Sequence, residues 1–304
     1  MQLDCKLNIW MSKMKKIIKI FAAVAVLFGL MLLSGCGQKD AGGIAQKGEK
    51  PVIAVSIVPE ETFVKAVAGE LCEVVVMVPP GSNPTNYEPT PLEMMSFSSA
   101  DIYFSIGVPT EAINLIPSMS KETKLISLDE VCAKVYSELS IGEGRDPHIW
   151  LSPKRVMVMI DTIVSGLSEL DPDNADTYKS NGDSFKTKLK DADAEVKAAL
   201  EGVTNRKFVV FHPAFGYLAD DYGLTMFALE EEGKEATADH LAKMIDLAKA
   251  ENIKVIFYQA EIDSRQSEAY AEEIGGKTAM LSPLSGDYIE NLKLMAATMA
   301  EAMK

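Results

Sequence analysis

The 304-residue chain holds only four cysteines and three histidines. No apolar run in it reaches the ~20 residues that a helix needs to span a bilayer. Positive charge is short as well, with 30 Lys and Arg against 44 Asp and Glu and a net charge of −14. That balance excludes nucleic acid and anionic membrane surfaces as partners and favours a soluble body that draws cations toward it. No HExxH, GxSxG or CxxC occurs, so the sequence signs of a zinc protease, an α/β hydrolase and a dithiol redox site are missing. Gly276-Lys277-Thr278 looks like the end of a phosphate-binding loop. The glycine required five residues earlier is Ala271, however, and a helix rather than a strand precedes it.

What is present begins with an export signal. Lys13, Lys15, Lys16 and Lys19 precede an uncharged apolar run from Ile20 to Leu33, and small residues follow at Ser34-Gly35-Cys36. Leu33-Ser34-Gly35-Cys36 resembles a bacterial lipobox, in which the cysteine is lipidated and becomes the first mature residue. Met1–Trp10 has no place in such a peptide and reads as upstream extension, with Met11 or Met14 the more natural start. Removing residues 1–35 takes away five lysines and one aspartate and moves the net charge from −14 to −18. Cys72 and Cys132 then remain, either free or as one optional bridge. Residues 36–50, rich in Gly, Lys, Gln and Asp, read as a flexible tether.

From Pro51 onward, short β-rich runs alternate with amphipathic stretches. The runs are Val52–Val58, Val74–Val78, Ile102–Ile106 and Lys124–Leu128, then Lys207–Phe211, Lys254–Tyr258 and Lys277–Leu281. Continuous apolar runs separated by helices predict parallel strands buried on both faces. The fold class is therefore α/β, with two parallel-sheet βα lobes (51–170 and 204–304) joined by one long rigid helix over 171–203. Asp171-Pro172 starts that helix and Gly202 stops it. Tyr178, Phe185, Leu189, Ala192, Val196 and Ala199 form its apolar stripe. Met94, Met95, Met157, Met159 and Met295 lie in apolar helical stretches and read as core rather than as a copper site.

Several motifs resemble the solute-binding proteins of zinc- and manganese-type ABC importers. They are Pro80-Gly81-Ser82-Asn83-Pro84 followed by Tyr87-Glu88-Pro89-Thr90-Pro91, Asp146-Pro147-His148-Ile149-Trp150-Leu151-Ser152-Pro153, and Phe211-His212-Pro213-Ala214-Phe215-Gly216-Tyr217. Glu232-Gly233-Lys234-Glu235 and Leu281-Ser282-Pro283-Leu284 also fit. The resemblance covers Val52–Lys304. It implies a lipid-anchored monomer on the outer face of the cytoplasmic membrane that binds Zn2+, or Mn2+, between its lobes and delivers it to an importer permease. The family's first ligand is usually a histidine where this chain has Thr85, and its last is often an aspartate where this chain has Ser282. Some zinc-type relatives also carry a histidine-rich loop, which is absent here.

The residues point to a site on their own account. His212 ends a predicted strand, at the sheet edge where open α/β folds bind ligands. His148 sits in a proline-bounded loop of the other half. Imidazoles facing each other across a cleft suit a borderline cation, whereas hydroxyls such as those of Thr85 and Ser282 are poor zinc ligands. Glu261, just past Lys254–Tyr258, either supplies the missing carboxylate or caps the next helix and meets Arg265. His240 lies in the helical stretch Ala238–Ala250 and reads as structural. A metal-dependent hydrolase, with Glu261 as base beside a His-bound metal, and a relative that has lost metal for another solute are the alternatives.

Overall fold

The computed structural model describes residues 50–230, 236–261 and 265–304. The signal, Cys5, Cys36, the tether up to residue 49, Glu232-Gly233-Lys234-Glu235 and Asp263 lie outside the described residues. The strands are β1 (Val52–Val55), β2 (Glu73–Val76), β3 (Ile102–Ser105), β4 (Lys124–Ser127), β5 (Ser140–Ile141), β6 (Gly144–Arg145), β7 (Lys207–Val210), β8 (Thr225–Ala228), β9 (Val255–Gln259) and β10 (Lys277–Leu281). Two four-stranded sheets result, ordered β2-β1-β3-β4 and β10-β9-β7-β8, and every pairing in them is parallel. β5 and β6 form a small antiparallel hairpin before His148.

Alternation explains why the strands read as unbroken apolar runs. Ile53 and Val55 of β1, Ile102 and Phe104 of β3, Phe208 and Val210 of β7, and Val255 and Phe257 of β9 enter one continuous core that both halves share. Ala54 and Tyr103 face a separate outer cluster on the first sheet, and Val209 and Ile256 face another on the second. Both faces of each sheet are therefore covered. The shared core is filled by α1 (Val58–Ala68), α4 (Pro153–Leu170), α5 (Ala175–Glu201) and α9 (Tyr288–Ala302). Phe63 of α1 meets Tyr288 of α9 edge-to-face at 4.8 Å between ring centroids.

The long helix begins later than the sequence suggests. Pro172–Asn174 forms a 3-10 turn, and the α-helix runs over 27 residues from Ala175, about 40 Å at 1.5 Å per residue. Its buried stripe ends on Leu200 rather than Ala199. Gly202 closes it at φ −82°, in the right-handed region, so the stop uses no left-handed glycine. Of the methionines, Met159 and Met295 are buried, but Met95 is 69% exposed. Met95 shares the outer side of α2 (Pro91–Phe97) with exposed Leu92, one turn away, while Phe97 packs on the sheet. The remaining helices are α3 (Leu128–Ala133), α6 (Gly216–Tyr222), α7 (Ala238–Ala250) and α8 (Arg265–Glu273). Cys72 and Cys132 are buried free thiols, and burial pushes them up to about 11 and about 12.

Candidate metal centre

The second sheet reverses its winding between β7 and β9, and ligands in open α/β sheets bind at the carboxyl ends of strands beside such a reversal. His212 follows β7 by two residues, and Gln259 and Glu261 continue from β9. His148 arrives from the other lobe, in the turn that Pro147 opens and that leads through Ile149–Leu151 into α4. Ser152 caps that helix by accepting from the Arg155 amide. Trp150, 1% exposed, stitches the lobes together beside the site. Its indole Nε1 donates to the Pro283 carbonyl at 2.8 Å, and the Tyr288 hydroxyl donates to the Trp150 carbonyl.

The two imidazoles meet tip to tip, with Nε2 of His148 3.3 Å from Nε2 of His212. Each ring is held from behind by a carboxylate. His148 Nδ1 donates to Asp146 Oδ1 at 2.7 Å, and the same oxygen accepts the His148 amide at 2.9 Å. His212 Nδ1 donates to Glu230 Oε2 at 2.5 Å. Those bonds place a hydrogen on each Nδ1 and leave each Nε2 with a lone pair, so two lone pairs confront one another in a buried place. Only a proton or a cation between them relieves the repulsion. Burial pushes His148 below the ordinary histidine range, against the upward pull of Asp146, and the neighbouring His212 lowers it further. Both rings are 8% exposed.

Asp146 and Glu230 were not singled out as site residues by the sequence. Asp146 stands in the Asp-Pro-His motif, and its Oδ2 faces Gly216 at the start of α6 so closely that a Cβ there would collide with it. Glu230 follows β8, a short edge strand that the sequence reading missed. Its amide donates to the Phe211 carbonyl at 3.0 Å, which extends the ladder and sets its carboxylate beside His212.

Thr85, Gln259 and Glu261 line the same small cavity of about 20 Å³ as the two histidines, room for about one water-sized particle. Glu261 Oε2 is buried there with no hydrogen-bond donor, and burial raises its pKa. Ser282 does not line this cavity. Its neighbours Pro283 and Leu284 do, while the Ser282 carbonyl is tied to Asn291 Nδ2 at 2.7 Å. His240 stands apart, with Nε2 donating to the Ala228 carbonyl at 3.0 Å. Among the described residues, no three His, Cys, Asp or Glu side chains are arranged together to hold an ion. The structure thus joins His148 and His212 and leaves Glu261 on the wall beside them.

Comparison with known proteins places this geometry. The family described as "Zinc-uptake complex component A periplasmic" matches residues 53–302. The "High-affinity zinc uptake system protein ZnuA" of Bacillus subtilis (strain 168) is 30% identical over 273 residues, 84% of this chain and 86% of that protein. The "Zinc-binding lipoprotein AdcA" of Streptococcus pneumoniae (strain ATCC BAA-255 / R6) is 28% identical over 296 residues, 92% of this chain but 57% of that protein. The chain thus spans little more than half of that relative's length. A crystal structure of ZnuA superposes with a TM-score of 0.78 at 36% identity, covering 84% of this chain and all of that one. By their names these relatives belong to zinc uptake or bind zinc, and the family is one of zinc-uptake components rather than enzymes, which sets the hydrolase alternative aside. With some 250 consecutive residues matched by the family and the fold shared, the chain belongs to the zinc-uptake component A family, the solute-binding proteins of zinc- and manganese-type ABC importers.

Proposed function

We propose that the chain captures a zinc ion between its lobes through His148 and His212 and passes it to the permease of an ABC importer. The observation that supports this most is the 3.3 Å between the two Nε2 atoms. Two Zn–N bonds of about 2.0–2.1 Å at a tetrahedral angle require about 3.3–3.4 Å between the nitrogens. Asp146 and Glu230 behind the rings supply the carboxylate–histidine support that orients such ligands and raises their basicity. Glu261 lines the same cavity but is not grouped with the histidines, and it becomes a third donor only if it moves toward them when the ion enters. Its buried, partnerless carboxylate oxygen favours that move. Thr85 and Ser282 replace stronger family donors and add little. Imidazole favours zinc over manganese, which prefers oxygen.

Lipid on Cys36 would hold the body of the protein at the outer face of the cytoplasmic membrane. Among the described residues no helix is long and apolar enough to cross a bilayer. Cys36→Ser should release the chain or leave it unprocessed, and wild-type protein found fully soluble after export would overturn the anchor. Metal analysis of purified chain, followed by calorimetric titration with zinc and with manganese, tests the receptor reading. One zinc per chain, bound more tightly than manganese, is expected. A chain that retains and takes up neither metal overturns it, and the reading as a binder of another solute then stands.

A further inference from the structure

The cleft that holds the histidines has a second, larger compartment. Beside the cavity of about 20 Å³ lies one of about 310 Å³, also lined by Thr85, His148 and His212 but walled beyond them by Ile141, Glu143 and Arg145 of the β5–β6 hairpin. The first has room for an ion and little else. The second is at the lower end of the size range for small-molecule sites, which begins at roughly 300 Å³. Among the described residues, the two histidines are the only ones with strong metal-ligating side chains that both compartments share.

The donor count gives that arrangement a meaning. Two imidazoles leave a tetrahedral ion two positions short, and no third His, Cys, Asp or Glu among the described residues is placed with them. Glu261 supplies at most one more. Apart from the histidines and Glu261, the wall around the inner cavity is apolar or weakly polar, with Val108, Pro109, Trp150, Leu284, Thr85 and Gln259 among its residues. Arg145, in contrast, is held rigidly at the edge of the outer compartment. Its Nη1 is paired with Asp129 and reaches Glu138 at 3.4 Å. Its Nη2 sits against Gly107, where a Cβ would collide with it and where φ is +89°. The in-plane N–H groups of Arg145 Nε and Nη2 make no hydrogen bond to the described residues, so they remain for a carboxylate.

We propose that the chain takes its ion as a mixed complex, in which a small amino-carboxylate chelator occupies the outer compartment. A free α-amino acid is the simplest member of that class. Its amine and one carboxylate oxygen complete the coordination that the protein leaves open, while the remaining carboxylate oxygen faces Arg145. This rests on the receptor reading above and adds the chemical form of the cargo to it.

The test uses the full chain with free zinc held fixed by a buffer, so that an added amino acid cannot act by competing for the metal. Zinc occupancy is measured across a range of free zinc without and with excess L-histidine, and retention of isotopically labelled L-histidine is measured by equilibrium dialysis. The expected result is that L-histidine tightens zinc binding by roughly tenfold. The label should be retained only when zinc is present. Arg145→Ala and, separately, Ile141→Trp, which fills the outer compartment, should remove the enhancement and leave binding of zinc alone within about twofold. Thermal melts identify any variant that has unfolded, and the labelled-ligand measurement on the wild-type chain does not depend on either variant. No enhancement and no retained label overturns the mixed complex. If zinc alone still binds and His148→Ala still abolishes that binding, the receptor reading survives. Loss of zinc binding under both conditions sinks that reading instead.

Discussion

The two sheets reverse their winding at equivalent places, and the two reversals are used in opposite ways. Between β7 and β9, the strand ends send His212, Gln259 and Glu261 into the cleft, and one carboxylate oxygen there has no partner. Between β1 and β3, the corresponding edge is filled by two buried glutamates that take up its backbone amides, although Glu60 Oε1 is left without a partner. Glu60 Oε2 accepts the amides of Ser56 and Ile57 at 3.0 Å each. Glu111 accepts those of Ile106 at 2.9 Å and Gly107 at 2.8 Å, and its Oε1 also takes the Ser56 hydroxyl. The first lobe has used its own carboxyl groups as the acceptors for that edge's amides, and it contributes to the site from loops instead. One edge is filled from within, and the other is the edge that the proposed function assigns to the ion.

Removing the imidazole at the edge assigned to the ion should have the largest effect. Loss of a group that merely supports a ligand costs ~10–100-fold in metal affinity, so loss of the ligand should cost at least that. His212→Ala and His148→Ala should each weaken zinc binding by that margin in calorimetry, with Glu230→Gln and Asp146→Asn milder. His240→Ala should leave affinity within about twofold, because its ring serves the Ala228 carbonyl. An equal loss from all three histidines would mean that folding, not the site, had been damaged.

A smaller effect sharpens the contrast by giving the first lobe a second ligand beside His148. Thr85 lines the inner cavity and Ser282 does not. Thr85→His should therefore tighten zinc binding by roughly tenfold, whereas Ser282→Asp should change it little. Glu261→Gln should weaken binding in the natural chain and matter less beside Thr85→His, because groups that share one ion are not additive. Tightening by Ser282→Asp alone would show that the loop after β10 moves into the cleft when metal is present.

Much of this was legible in the residues. The seven apolar runs all became strands because their register buries alternate side chains in the shared core and in the outer clusters, which a continuous run records directly. The two histidine motifs could be placed because each lies against a proline turn at an element boundary. Edge strand β8 was not legible. Thr225–Ala228 has the length and burial of edge strands β2 and β4, but with Met226 and Ala228 and no Val or Ile it lacks the β-branched aliphatic residues that marked those runs. Glu230, which depends on that strand, was lost with it. Ser282 was named only as the position where the family often has an aspartate, and sequence does not show which residue of that loop turns inward. There the hydrogen bond from Asn291 and the contribution of Pro283 and Leu284 to the cavity decide.

The edge filled from within carries the last and smallest effect, which is read in stability rather than in metal. Glu111 is 2% exposed, and burial, with Asp129 nearby, pushes its pKa up to about 7 despite the three donors it accepts from. Glu60, fully buried, is also raised, first by burial and then by Glu111. A folded pKa above the unfolded value means that the native state holds the proton more tightly, so stability is full below about pH 4.5 and is lost as pH rises through about 7. The loss is on the order of a few kcal/mol by pH 8. In Glu111→Gln the amide keeps one acceptor but denies a partner to one backbone N–H, a cost of roughly 1 kcal/mol that does not vary with pH. Urea midpoints should therefore place the variant below wild type at pH 5 and level with or above it at pH 8.5. Curves that stay parallel over that range would show that Glu111 is ionised throughout, and the first lobe's edge would then be held by a permanent charge rather than by a proton.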